Sequence, residues 1–209
     1  EFDVLTYTDE DLKEVSSIGF TVHNITVNDP TIFTDKDIID IKERFEKNSL
    51  YIGNSRGRYG GGLVSSDNVH RKETVSYVIE MCKVSAKIGC HSTYLRPGSL
   101  NPKGPWLPHP ENHTDEVFER LIDSTKQIAM VAESEGMRLI LEGGYVSPIN
   151  SAKRAKEFID RVDSKSLKFN QDPVNFISSL EQAYNTREFL EEFFTLLGEH
   201  TISADFKDF

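Results

Sequence analysis

The amino-acid sequence predicts an α/β protein with a parallel sheet, and three observations carry that prediction. Short apolar runs alternate with amphipathic segments from one end to the other. The amphipathic segments open on capping residues, and several close on glycine, which marks them as helices. No shift in composition breaks the 209 residues into parts, so the chain reads as a single domain over 1–209. Strict strand–helix alternation implies parallel strands joined by crossover helices.

The elements follow in order. FDVLTY (2–7) reads as a first strand. TDEDLKEVSSIG (8–19) reads as a helix, capped by Thr8 or Asp9, with Leu12, Val15 and Ile18 on one face. FTVHNITV (20–27) is a second strand, and the next helix (34–48) places Ile38, Ile41 and Phe45 at helical spacing. LYIGNSR (50–56) is a third strand running into a glycine-rich segment. Val75, Val78, Ile79, Cys82 and Ala86 form the stripe of a long helix that Gly89 closes. CHSTYLR (90–96) is a fourth strand, followed by a long loop. A helix over 114–136 starts with Asp115 and Glu116, which suit the positive end of a helix dipole. MRLILEGG (137–144) is a fifth strand, 151–162 a helix, LKFNQDPVN (167–175) a sixth strand with its exit, 186–197 a helix, and TISADFKD (201–208) a seventh strand.

Seven strands and six helices fit either an open doubly wound sheet or a (β/α)8 barrel. No G-x-G-x-x-G follows the first strand, which weakens a dinucleotide-binding sheet. The strand ends favour the barrel. In parallel α/β folds chemistry collects at the carboxyl ends of the strands. Here the fifth strand ends in Glu142, the sixth in Asp172 and the seventh in Asp205, in steps of 30 and 33 residues, about one βα unit each. Neighbouring strands lie ~4.8 Å apart, so the three carboxylates converge on one rim. Left alone they would repel and raise one another's pKa values, and a divalent cation relieves that repulsion. Oxygen-rich ligation favours Mg²⁺ or Mn²⁺ over zinc. The metal ligands expected from the pattern are therefore Glu142, Asp172 and Asp205.

Composition excludes several classes. Acidic residues outnumber basic ones 34 to 24, a formal charge of −10, which argues against a partner with a nucleic-acid backbone. No apolar run approaches the ~20 residues of a membrane span, and no signal peptide opens the chain. Cys82 and Cys90 make no disulfide framework and read as reduced thiols of a cytoplasmic protein. Asn24 and Asn112 begin glycosylation sequons, which carry no weight without a secretory signal.

Taken together, "LRPGSLNP", "LILEGG", "AKEFIDRVDSKSLKFNQDPVN" and "ADFKD" resemble the xylose isomerase-like TIM barrels, the sugar phosphate isomerases/epimerases. The resemblance covers nearly the whole chain. It implies a single divalent-metal site, with Glu142 and Asp172 as matching ligands. Asp205 stands where the family usually has histidine, and Gly143-Gly144 stand where it usually has Asn-His. The resemblance implies proton abstraction alpha to a carbonyl through an enediolate, with Glu142 as one acid–base group. The family's eighth strand would supply the partner. On this alignment the chain ends at strand seven, so the expected architecture is an incomplete barrel, a piece of a longer reading frame that starts at Glu1 rather than Met.

The loop over 96–114 lies on the active rim and is stiffened by five prolines. Trp106 is a candidate to cover a sugar face, His109 to reach polar groups, and Arg96 to bind a phosphate or carboxylate. Asn175 either orients substrate or satisfies the Asp172-Pro173 turn. Lys207 either stabilises an oxyanion or pairs with Asp208. Arg56 and Arg58 sit in SRGRYGGGLVSSD (55–67), which lacks the Gly-Lys-Ser/Thr of a P-loop and reads as a flexible rim loop. The remaining expectation is a small-molecule sugar or sugar phosphate as partner. A homodimer is compatible with an exposed sheet edge but not encoded by any motif. Alternatives are an inosose-dehydratase-like lyase, which begins with the same proton abstraction, and a non-catalytic carbohydrate-binding barrel. An endonuclease-IV-like nuclease is disfavoured by the acidic charge and the missing zinc-binding histidines.

Overall fold

The computed structural model describes residues 3–207. Six strands form one sheet in the order β1-β2-β3-β4-β5-β6, every neighbouring pair parallel. They are β1 Val22–Thr26, β2 Tyr51–Arg56, β3 Ser92–Leu95, β4 Arg138–Leu141, β5 Leu167–Gln171 and β6 Thr201–Ala204. The helices are α1 Asp9–Ser17, α2 Asp35–Lys47, α3 Asn68–Ile88, α4 Asp115–Ser134, α5 Ala152–Val162, α6 Leu180–Tyr184 and α7 Thr186–Leu197. Sequential strand order with a helix between each pair is the winding of a TIM barrel, and the sheet is a curled, incomplete one.

One expected strand is absent. FDVLTY does not pair with the sheet; Val4–Thr6 form a single 3-10 turn, and Phe2 lies outside the described residues. The cause is Asp3. Its carboxylate accepts the Leu5 N–H at 2.9 Å and the Asn28 N–H at 2.7 Å, while its carbonyl accepts the Thr6 hydroxyl at 2.7 Å. Such local side-chain bonds compete with a ladder, and Val4 is buried by the turn instead. The strands expected as fifth, sixth and seventh are therefore β4, β5 and β6, and the sheet has six strands rather than seven.

The helix starts obey local chemistry. Thr8 and Thr34 form reciprocal capping boxes with Asp11 and Asp37, and Thr114 and Ser151 cap α4 and α5. Gly89 closes α3 at φ 94°, a left-handed value that glycine adopts without strain.

Alternation along the strands sorts the side chains. Ser55 of β2 and Thr93 of β3 face α3, where the Ser85 hydroxyl donates to Ser55 Oγ at 2.8 Å. The intervening Asn54, Ser92 and Tyr94 face the concave side and bond one another. The layer beneath β5 is aromatic. Phe193 of α7 lies 4.8 Å from Phe176, 5.0 Å from Phe189 and 6.4 Å from Phe169, centroid to centroid. Cys82 and Cys90 are free and buried, and burial pushes the Cys82 thiol up to about 12, as expected of inert core cysteines. His23 is packed beside Tyr7 and Phe45, in line with a structural role.

Phe193 supports the strand that carries Asp172. Phe193→Ala is expected to destabilise the protein by about 3–5 kcal/mol, read as a lower urea midpoint with an unchanged slope.

Candidate functional site

Three adjacent strands deliver the site. Glu142 follows β4, Asp172 follows β5 and Asp205 follows β6. The pairing of Gln171 with Ala204 sets the last two side by side. One carboxylate oxygen from each of the three lies within 4.8 Å of the others. Glu142 is 6% exposed and Asp172 1%, while Asp205 is half-buried.

Each carboxylate has one oxygen held by N–H donors. Arg96 Nε donates to Glu142 Oε2 at 2.6 Å. Asn175 Nδ2 donates to Asp172 Oδ2 at 2.7 Å, and Lys207 Nζ donates to that same oxygen. Asn170 Nδ2 donates to Asp205 Oδ2 at 3.1 Å, with Lys207 3.8 Å away. Among the described residues no donor reaches the second oxygen of any of the three, and Asp172 Oδ1 is buried without a partner. A buried carboxylate oxygen left unsatisfied is costly. Asp172 Oδ1 and the second oxygens of Glu142 and Asp205, each with its mate fixed by an outer donor, form the arrangement that orients ligands around a hard cation. The donor set therefore fits Mg²⁺ or Mn²⁺.

The electrostatics agree. Burial raises the Asp172 pKa; the hydrogen bond and charge of Lys207 oppose this, and the Asp205 and Glu142 charges add to it. Burial pulls Lys207 down, but its bond to Asp172 and the three carboxylates outweigh burial and raise it. Among the described residues, three carboxylates against Arg96 and Lys207 leave one negative charge at the centre.

The other expected residues divide. Arg96, Asn175 and Lys207 are brought to the carboxylates, although both cations contact acids rather than open space; Asp208 lies outside the described residues. Trp106, 42% exposed, shares a pocket of about 270 Å³ with Arg96, Arg58, Tyr59 and Pro105. Its ring lies 3.6 Å from where a Cβ on Gly144 would sit, so it flanks the exit from Glu142. His109 is not brought to the centre: its Nδ1 accepts the Glu111 N–H at 3.3 Å within its own turn.

Sequence reasoning assigned no part to three residues. Asn170 anchors Asp205, as above. Tyr59 is a half-buried brace whose hydroxyl accepts the Arg96 N–H at 2.8 Å and donates to the Tyr94 carbonyl at 3.3 Å. Asn112 is fully buried and ties the 96–114 loop together, donating to Ser99 Oγ at 2.8 Å and to the Val146 carbonyl at 2.6 Å. The glycine-rich segment is packed rather than open. Gly62, Leu63 and Val64 are buried, and a Cβ on Gly61 would fall 1.9 Å from the Ser99 carbonyl oxygen. The only available signal was the glycine run itself, which marks close backbone approach as well as mobility.

An incomplete parallel barrel with a carboxylate centre at the carboxyl ends of its strands defines a TIM-barrel protein with a candidate cation site. A sequence model described as xylose isomerase-like TIM barrel matches residues 12–205, and the chain belongs to that family. No curated protein matches the chain significantly by sequence. Among solved structures, it is similar to a xylose isomerase domain protein from Planctomyces limnophilus (TM-score 0.71, 20% identity, covering 92% of this chain and 67% of that one). It is also similar to D-psicose 3-epimerase with D-tagatose from Clostridium cellulolyticum H10 (0.70, 17%, 90% and 65%). A third is a xylose isomerase-like TIM barrel protein from Mycobacterium smegmatis in complex with magnesium (0.73, 16%, 98% and 69%). The chain thus spans about two thirds of the length of these structures.

The departure at Gly143 has a steric reason. A Cβ there would meet the Phe176 ring at 2.7 Å and the Ile149 carbonyl at 2.8 Å. Gly143→Ala is expected to lower stability by about 1–3 kcal/mol through overpacking, measured by thermal unfolding.

Proposed function

We propose that this chain serves a divalent-metal-dependent isomerase or epimerase of sugars or sugar phosphates. The observation that carries the reading is the convergence of Glu142, Asp172 and Asp205 within 4.8 Å, each with one oxygen uncommitted among the described residues. Family membership and the sugar epimerases among its structural neighbours support it.

Glu142, Asp172 and Asp205 would hold Mg²⁺ or Mn²⁺, which when bound polarises the substrate's carbonyl and hydroxyl oxygens. Asn175 and Asn170 keep Asp172 and Asp205 oriented. Glu142 takes the proton from the carbon alpha to the carbonyl, giving an enediolate, and a second group returns a proton to complete the exchange. Trp106 flanks the exit from Glu142 and offers an apolar face to the sugar ring. The buried free thiols suit a reducing compartment, the cytoplasm. Among the described residues no helix is long and apolar enough to cross a membrane.

Calorimetry with Mn²⁺ tests the reading. Saturable binding is expected in the native chain, weakened at least about tenfold in Glu142→Gln and in Asp172→Ala. Binding requires the carboxylate form and ejects the Asp172 proton. Because the Asp172 pKa lies above the ordinary 3.8, affinity is expected to fall as pH drops while still above that value. A folded chain that binds no Mn²⁺, or binds it equally in both variants, contradicts the proposal.

A further inference from the structure

The proposed cation centre already contains cations of its own, and they are not equivalent. Lys207 shares Asp172 Oδ2 with Asn175, so the outer oxygen keeps a donor whatever the lysine does. Glu142 has one hydrogen-bond donor to its carboxylate among the described residues, Arg96, at 2.6 Å. That ion pair is mostly buried, with side chains 26% and 8% exposed. Counted over the described residues, a divalent cation arriving with both Arg96 and Lys207 in place would turn a centre of one net negative charge into one of net positive charge. With Arg96 withdrawn, three carboxylates balance the metal and Lys207. The lone pair on Oε2 that now accepts from Nε is also one that a substrate proton would need.

The geometry gives the arginine somewhere to go. Its backbone is pinned by the Arg96 N–H to Tyr59 hydroxyl bond, so the side chain swings from a fixed point. The guanidinium lies 5.5 Å from the Tyr94 ring centroid and lines the pocket of about 270 Å³ beside Tyr59, Arg58 and Trp106. We propose that Arg96 is the internal counterion of the metal-free centre, exchanged for the metal on loading, and that the released guanidinium then binds an anionic oxygen group of the substrate in this pocket. This inference rests on the metal-dependent reading above and narrows its substrate class to sugars carrying a phosphate or carboxylate. Linkage makes the coupling reciprocal: an anion that draws Arg96 away from Glu142 must tighten the metal.

The test compares Mn²⁺ affinity by calorimetry in the native chain, Arg96→Gln and Arg138→Gln, each with and without sodium sulfate or sodium acetate. Arg138 is exposed at the opposite end of β4 from Glu142, outside that pocket, so its variant reports the general loss of one positive charge. Arg96→Gln is expected to bind Mn²⁺ roughly tenfold more tightly than the native chain, the scale of losing one charge-assisted competitor, and Arg138→Gln to change much less. Sulfate or acetate is expected to tighten Mn²⁺ in the native chain and to have no effect in Arg96→Gln. The more effective anion indicates phosphate or carboxylate as the recognised group. Equal tightening in both variants, or weaker binding in Arg96→Gln, overturns the exchange. An absence of any anion effect in the native chain overturns the substrate assignment. Failure of the native chain to bind Mn²⁺ at all instead removes the metal reading beneath it, so the two failures are told apart.

Discussion

Mutual repulsion among three carboxylates is the constraint at the carboxyl-end rim of the sheet. The parallel register places Glu142, Asp172 and Asp205 on neighbouring strand ends, with one oxygen of each within 4.8 Å of the others. Charges that close, two of them buried, cannot all remain ionised without compensation. The surroundings answer that constraint. Arg96, Lys207, Asn170 and Asn175 each spend a donor on the outer oxygens, and the Asp172 pKa still rises. The elements behind the rim are likewise recruited: Tyr59 braces the arginine, and the Phe169–Phe176–Phe193 layer holds the strand that ends in Asp172.

Close packing explains the unusual local sequence behind the rim. Two glycines follow Glu142 because Phe176, Ile149 and Asn175 close in on the chain at that point. The 96–114 loop is tied together by polar contacts, with Asn112 at its centre and Ser99 receiving it. The Gly61 backbone packs directly against Ser99, so the loop after β2 and the loop after β3 behave as one wall. That wall carries Arg96, Arg58 and Trp106 on its inner side.

Much of this was legible in the sequence, because it depends on period and on local chemistry. The strand–helix beat located all six strands, and the recurrence of acids about one βα unit apart selected the three carboxylates that the fold gathers. Capping threonines and Gly89 marked helix ends through bonds a few residues long. What escaped was non-local or depended on competition. FDVLTY alternates like a strand, yet Asp3 folds it into a turn by bonding Leu5 and Asn28. Asn112 looked like a sequon and Tyr59 like loop filler, since their partners stand tens of residues away or across the rim. No pattern could show that Arg96 would rest on Glu142, 46 residues on. Nor could it show that His109 would turn toward its own loop.

The central claim is that the three uncommitted carboxylate oxygens form one cation site. Anomalous diffraction from crystals of the chain grown with MnCl₂ tests it most directly. The account predicts a single strong peak at bonding distance from one oxygen each of Glu142, Asp172 and Asp205. An ordered rim with no peak there, or with manganese bound only elsewhere, would contradict it.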